Sequence, residues 1–149
     1  MKEAYSLSSV SKTIKGVNFV VLNLKNPTGR VISHNVYWLS NEGDFKSMND
    51  MPKTTILTKV LTRTKNNDEN SWTIQITNST NKMAFFIRPQ LISDGEEVLP
   101  SYWSTSYFTL APSESTIVTV NCPLATLNTK TPTIKISGWN VNDQELVLK

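Results

Sequence analysis

The residues of this 149-residue chain that could do chemistry are mainly aromatic. Tyr102, Trp103 and Tyr107 lie within one short segment, and Trp139 follows near the end of the chain. Sugar rings present apolar C–H faces, so exposed Trp and Tyr rings can serve as stacking platforms for carbohydrate. The same rings fill cores and domain contacts, because each has a large apolar body and one polar tip. Both interpretations stay open, and we favour the core or domain contact.

Acid–base chemistry of the glycosidase type needs two carboxylates whose environments push their pKa values apart. Nine of the twelve acidic residues fall instead in predicted turns, where we expect them to be solvated: Asp44, Asp50, Asp68, Glu69, Asp94, Glu96, Glu97, Glu114 and Asp143. The single histidine, His34, has no Ser, Asp or Cys at a spacing that indicates a triad, so we expect it to face solvent or a neighbouring side chain. We therefore predict no catalytic residue and no enzymatic activity for this chain alone.

Metal and cofactor sites have no support in the sequence. Cys122 is the only cysteine, no Cys/His cluster has zinc-ligand spacing, and we expect this thiol to be a small half-buried residue at a strand end. The glycines stand singly, so no phosphate-binding loop is formed. The triplet Asn78-Ser-Thr80 matches a glycosylation acceptor, which matters only in a secreted eukaryotic protein.

Charge and hydropathy exclude two further classes of partner. The net charge is +3, and the basic residues are scattered without a run that could follow a phosphate backbone, so we predict no nucleic-acid binding. No apolar stretch is long enough to span a bilayer, and residues 1–16 lack the apolar run of a signal peptide. We predict no membrane partner.

The first elements that must position these residues form a hairpin. Residues 17–24 and 30–39 are rich in β-formers, and Asn26-Pro-Thr-Gly29 between them is a turn signal in which Gly29 supplies a positive φ. The stretch that follows, 41–52, has the composition of a linker. We place a hairpin segment at 1–40 and a linker at 41–52.

Beyond the linker, short β-rich runs recur with turn signals between them, over 55–63, 72–77, 83–92, 107–110, 116–121, 133–137 and 145–148. Several alternate apolar and polar residues, which is typical of strands with one wet face. Pro89 interrupts one run, so we expect it at a sheet edge or a bulge. The chain is predicted to be all-β, with an immunoglobulin-like β-sandwich over 53–149 and almost no helix.

Several segments together resemble a known family: NVYWLS at 35–40, MAFFIR at 83–88, EVLPSYWS at 97–104, YFTLAPSES at 107–115 and SGWN at 137–140. Their order and spacing are similar to the C-terminal β-sandwich region of glycoside hydrolase family 2 enzymes of the β-mannosidase and exo-β-glucosaminidase type. The resemblance implies a parent protein, periplasmic or secreted, with a jelly-roll domain, a catalytic (β/α)8 barrel and several immunoglobulin-like domains. The catalytic carboxylates of that family belong to the barrel, and no position in this chain corresponds to them.

Within that architecture, the hairpin resembles the last strands of a preceding immunoglobulin-like domain, and 53–149 resembles the complete final one. The partners implied are the catalytic barrel and the neighbouring domains of the same polypeptide. Strands separated from their sheet expose an unpaired edge, so a dimer formed through these strands is also conceivable.

Three functions follow from these observations. In the first, the chain is a non-catalytic accessory domain that supports the catalytic barrel and contributes to the shape of its substrate cleft. The alternative is a carbohydrate-binding module that uses Tyr102, Trp103, Tyr107 and Trp139 as exposed rings, with weak sugar contact. A third is a protein-interaction β-sandwich unrelated to sugar.

Overall fold

The computed structural model describes residues 16–40, 43–66, 68–127 and 131–148. It is an all-β protein, as predicted, and the chain divides into two compact units between Met51 and Pro52. Residues 1–15 of the predicted hairpin segment and 41–42 of the predicted linker lie outside the described residues. The strands are β1 (Val17–Lys25), β2 (Val31–Ser40), β3 (Leu57–Lys65), β4 (Glu69–Thr77), β5 (Ala84–Ser93), β6 (Glu96–Glu97), β7 (Tyr102–Trp103), β8 (Phe108–Leu110), β9 (Ser115–Pro123), β10 (Thr133–Ser137) and β11 (Gln144–Val147).

The first unit contains the predicted hairpin, in which β1 and β2 pair antiparallel from Val17 opposite Ser40 onwards. Its turn is closed by Asn26, whose side-chain oxygen accepts hydrogen bonds from the backbone N–H groups of Thr28 and Arg30. Gly29 has a φ of 85°, a backbone conformation that is sterically unfavourable for a residue with a side chain. The predicted role of this glycine in the turn is confirmed. A 3-10 helix, Lys46–Asp50, follows within the predicted linker.

The second unit is a sandwich of two sheets. One sheet has the order β3-β4-β9-β7, and the other has the order β11-β10-β5-β6, with β8 also paired to β5. Strand β4 shows why the sequence folds this way: Trp72, Ile74 and Ile76 alternate with polar residues and are fully buried. They join a core built from both sheets, which includes Ile134 and Ile136 of β10.

Strand β5 is interrupted near its start. Phe86 has a φ of 57°, and the pairing of β5 with β8 shifts register between Ala84 and Ile87. This bulge lets Ala84 and Phe85 both be buried while Phe86 points outward. Further along, Pro89 falls between the residues that pair with β8 and those that pair with β6, which suits a residue with no N–H to donate.

Two details differ from the sequence prediction. Strands β6 and β7 were not predicted, because a run of two residues shows no periodicity. Cys122 was expected to be half-buried, but it is fully buried and belongs to the core, since it lies on the inward face of β9 together with Val118 and Val120.

Candidate functional site

At one end of the second unit, the carboxamide of Asn140 holds three separate segments of backbone. Its nitrogen donates to the carbonyls of Pro52 (3.0 Å) and Met83 (2.8 Å), and its oxygen accepts from the Phe85 N–H (2.9 Å). Asn140 is buried, with 1% of its surface exposed. The SGWN segment at 137–140 thus closes the sandwich, and its asparagine is bonded to main chain.

The carboxamide of Asn78 also forms hydrogen bonds with several backbone segments, just after the end of β4. It is fully buried, and its nitrogen donates to the carbonyls of Lys82, Leu110 and Ala111. A nitrogen engaged in this way is not open to a glycosyl group. In the folded chain, the asparagine of the Asn78-Ser-Thr80 triplet therefore has a structural role and is not a glycosylation acceptor.

The structure does not gather the four aromatic residues that were candidates for sugar binding. Tyr102 and Trp103 are neighbours on β7, so their side chains point to opposite faces: Tyr102 is 62% exposed, and Trp103 packs against the core. Tyr107 lies just before β8, with its ring against Phe86 of the other sheet, and Trp139 follows β10. The expectation that these rings serve mainly as core or domain contact describes Trp103, whereas Tyr102, Tyr107 and Trp139 are exposed by more than half.

Tyr107 is instead part of a cluster that the sequence did not reveal, here called the Tyr107 surface: Phe86, Arg88, Gln90, Glu97 and Tyr107. The rings of Phe86 and Tyr107 lie 5.5 Å apart with an interplanar angle of 54°, and the Arg88 guanidinium lies 5.9 Å from the centre of the Tyr107 ring. The contact of a cation with an aromatic face is attractive. The Tyr107 ring thus lies between an aromatic neighbour, Phe86, and a cationic one, Arg88.

The polar half of the Tyr107 surface is a hydrogen-bonded set of planar groups. Arg88 Nη2 donates to both oxygens of Glu97, at 3.0 and 3.3 Å, and Gln90 Nε2 donates to Glu97 Oε2 at 2.8 Å. The Arg88 and Glu97 side chains are 39% and 32% exposed, so the ion pair is open to solvent on one side. Glu97 was expected in a solvated turn, but the turn at Asp94 and Gly95 places it in β6 opposite Ile92.

Phe86 and Tyr107 also share an unusual backbone. Their φ angles are 57° and 55°, in the left-handed region that costs a residue other than glycine roughly 1–2 kcal/mol. Strained residues of this kind persist only where the surroundings fix them, and they concentrate at functional sites.

A shallow depression of about 220 Å3 adjoins the Tyr107 surface at Glu97. It is lined by Thr126, which follows β9, and by residues of the β5–β6 turn and the segment after it, namely Ser93, Asp94, Glu96, Glu97, Val98 and Leu99. The lining is more polar than that of a typical small-molecule pocket, so it is better described as an extension of the surface than as an enclosed site.

The other candidate chemical groups are engaged locally. His34 lies across the hairpin from Asn23, with 2.7 Å between Nδ1 and the Asn23 Oδ1, and it is exposed. Glu114 Oε2 accepts from the Ala111 N–H, and Asp143 pairs with Lys135 at 3.4 Å.

Over residues 16–40, 43–66, 68–127 and 131–148, no group of three or more His, Cys, Asp or Glu could hold a metal ion. The helices in that same part of the chain are too short and polar to cross a membrane.

The Cys122 thiol is shielded within the core. Burial raises its pKa above the ordinary value of 9.0, a hydrogen bond with Thr126 opposes this rise, and the Glu69 carboxylate adds to it. A thiol in this environment stays protonated near neutral pH, which makes it a poor nucleophile. Its contribution is packing.

Comparison with known proteins identifies the domain family of the chain. The exo-β-D-glucosaminidase Ig-fold domain family matches residues 35–141. The exo-β-D-glucosaminidase of Arthroderma benhamiae is 32% identical over 154 residues, which cover 91% of this chain and 17% of that protein. That of Streptomyces avermitilis is 28% identical over 145 residues, which cover 83% of this chain and 16% of that protein. The chain spans less than a fifth of the length of these relatives.

Solved structures agree on the fold. The crystal structure of the Amycolatopsis orientalis exo-chitosanase matches with a TM-score of 0.79 at 21% identity, covering 91% of this chain and 19% of that one. A complex of its D469A variant with a nitrophenyl β-D-glucosamine matches with a TM-score of 0.81 at 22% identity. Of the two enzyme types in the sequence resemblance, these comparisons support the glucosaminidase and give no support to the β-mannosidase.

Proposed function

The chain belongs to the exo-β-D-glucosaminidase Ig-fold domain family, and from this premise we propose that it is a non-catalytic accessory domain of a larger glycoside hydrolase. In that enzyme it supports the catalytic barrel and contributes to the shape of the substrate cleft. The barrel and the neighbouring domains of the same polypeptide are its partners. Hydrolysis of glucosaminides is the activity of the whole enzyme, carried out by residues of another domain.

The observation that carries this proposal is the set of hydrogen bonds that the Asn140 side chain makes. Asn140 belongs to one of the segments that resemble the family. Its side chain forms hydrogen bonds with the backbone of Pro52, Met83 and Phe85. A residue buried to this extent builds the fold and cannot touch a substrate. This supports a framework role for the segment.

The hairpin has a separate part in the proposal. A two-stranded hairpin is marginally stable by itself in water, because it has too little apolar surface to bury. Here β1 and β2 carry exposed Leu22, Leu24, Val31 and Ile32. We propose that residues 1–40 complete a preceding immunoglobulin-like domain, with 41–52 as the linker and 53–149 as the final sandwich. A dimer formed through these strands is the competing arrangement, which sedimentation of the purified chain would reveal.

The accessory role is tested by removing residues 53–149 from the larger polypeptide and measuring two properties, its thermal midpoint and its hydrolysis of a chromogenic β-glucosaminide. We expect both to fall, because a packed domain contact and one wall of the cleft are lost. Adding the separate sandwich back should restore part of the activity. An unchanged midpoint together with unchanged kcat/KM would refute the proposal.

A further inference from the structure

The proposed accessory role does not account for the combination of side chains on the Tyr107 surface. It combines a ring that is 52% exposed with three planar side chains that are fixed relative to one another. Phe86 packs against Tyr107 from the side, and the Arg88 guanidinium lies over the Tyr107 ring.

We propose that the Tyr107 surface is a binding site for neutral carbohydrate, with one pyranose ring against Tyr107 and its vicinal hydroxyls on Arg88, Glu97 and Gln90. Guanidinium, carboxylate and carboxamide groups each offer two neighbouring hydrogen-bonding atoms in a plane. Two adjacent hydroxyl groups on a sugar present a matching pair. The exposed part of the Tyr107 ring accepts the apolar C–H side of the same sugar ring.

The charges favour a neutral sugar. Arg88 and Glu97 form an ion pair at 3.0 Å, so the carboxylate is compensated within the surface. A cationic amino sugar would meet the Arg88 guanidinium at the Tyr107 ring, where like charges repel. An anionic sugar would meet Glu97. A ligand with hydroxyl groups and no charge avoids both costs.

The ring geometry limits the size of the site. Phe86 and Tyr107 are tilted by 54°, so they cannot form one flat platform under two successive sugar units. The depression beside Glu97 has a volume of about 220 Å3, below the roughly 300–1,000 Å3 of ordinary ligand pockets. We therefore expect contact with one or two sugar units and an affinity in the millimolar range.

Preorganisation is the reason that such a small site can bind at all. Association costs free energy whenever flexible side chains must be ordered. The ordering has already occurred here, since Arg88 and Gln90 are held by Glu97 and the Tyr107 backbone is fixed in a strained conformation. The strain at φ 55° thus has a use, because it presents the Tyr107 ring beside the ion pair.

The test is a titration of the chain with a β-1,4-linked glucose tetramer and with the corresponding glucosamine tetramer, followed by amide chemical shifts. We expect saturable shifts in β5 around Arg88 and Gln90 and at Tyr107, with the neutral tetramer binding at least as tightly as the cationic one. No saturable shift at millimolar sugar, shifts centred elsewhere, or tighter binding of the cationic tetramer than of the neutral one would overturn the proposal.

Matched variants separate ring contact from folding. Tyr107→Ala should weaken binding by about tenfold, which corresponds to 1.4 kcal/mol, whereas Tyr107→Phe keeps the ring and should bind nearly as well as the native chain. Tyr102→Ala removes a tyrosine that is also more than half exposed, from the opposite sheet, and should leave binding unchanged. Equal effects of Tyr107→Ala and Tyr102→Ala would refute the site. That result would not affect the proposed accessory function, because the accessory function is tested separately, by deletion from the larger polypeptide.

Discussion

Asn140 and Phe85, which are 55 positions apart in the sequence, are joined by a buried hydrogen bond in which the Phe85 N–H donates to Asn140 Oδ1. The bond ties the turn after β10 to the start of β5, just before the bulge at Phe86. A second bond runs the other way, from the Trp139 N–H to the Phe85 carbonyl at 2.9 Å. The sheet face that carries the Tyr107 surface therefore depends on this junction.

Replacing Asn140 by Ala should lower the free energy of unfolding by about 2–4 kcal/mol, because it leaves a buried N–H and two carbonyls without partners. Urea unfolding measures this directly. Asn142→Ala is the matched control, since that amide is exposed and donates one bond to Thr55; it should change stability by less than about 0.5 kcal/mol. Similar losses in both variants would mean that the Asn140 bonds contribute little.

Replacing Gly138 by Ala tests how closely the same turn is packed. An added Cβ would lie 2.9 Å from Val141 Cγ2 and 3.1 Å from the Phe85 carbonyl oxygen. We expect a loss of about 1–3 kcal/mol from overpacking. Val141→Ala removes the first of these contacts, so the double variant should lose less than the sum of the two single losses in thermal unfolding. Strict additivity would count against the clash.

Cys122 should make stability depend on pH in the alkaline range. Well below pH 9.0 the thiol is protonated in both the folded and the unfolded chain, so it adds no pH dependence there. Above it, the unfolded chain releases the proton first, because burial raises the pKa in the folded state, and the free energy of unfolding falls as pH rises through that folded-state pKa. Cys122→Ala should remove this component of the slope. Identical slopes in the two proteins would show that the thiol is not shielded.

The sandwich should fold without the hairpin. Every residue of its core cluster lies between Ile56 and Leu148, and the division into compact units falls before Pro52. We expect a fragment of residues 52–149 to keep a cooperative thermal transition and the dispersed amide spectrum of the same residues in the full chain. A broad transition, or loss of that dispersion, would contradict the proposed domain boundary.

Much of this fold follows from local sequence patterns. The alternation at Trp72, Ile74 and Ile76 is enough to predict a half-buried strand, and the turn residues at Asn26 and Gly29 define the hairpin. Strands β6 and β7 carry no such pattern, since each is formed only because a longer strand, β5 or β9, offers an edge. Their existence is a tertiary effect.

The candidate site was harder to predict. Tyr102, Trp103 and Tyr107 are close in sequence, but the strand geometry sends them to three different environments. Arg88 and Glu97 meet only because the Asp94-Gly95 turn folds β6 back on β5, which places Glu97 opposite Ile92. Recognising that turn as a two-residue hairpin would have indicated the pairing. The left-handed backbone at Tyr107 has no signal in the sequence.

The measurement that tests the central claim most directly is a hydrolysis assay of the purified chain on glucosamine oligomers and on a chromogenic β-glucosaminide, at high protein concentration. We predict no turnover above the buffer rate, because Glu97, which lines the depression, is engaged by Arg88 and Gln90. Saturable turnover that disappears in Glu97→Gln would contradict the account, since it would place a catalytic carboxylate within this domain.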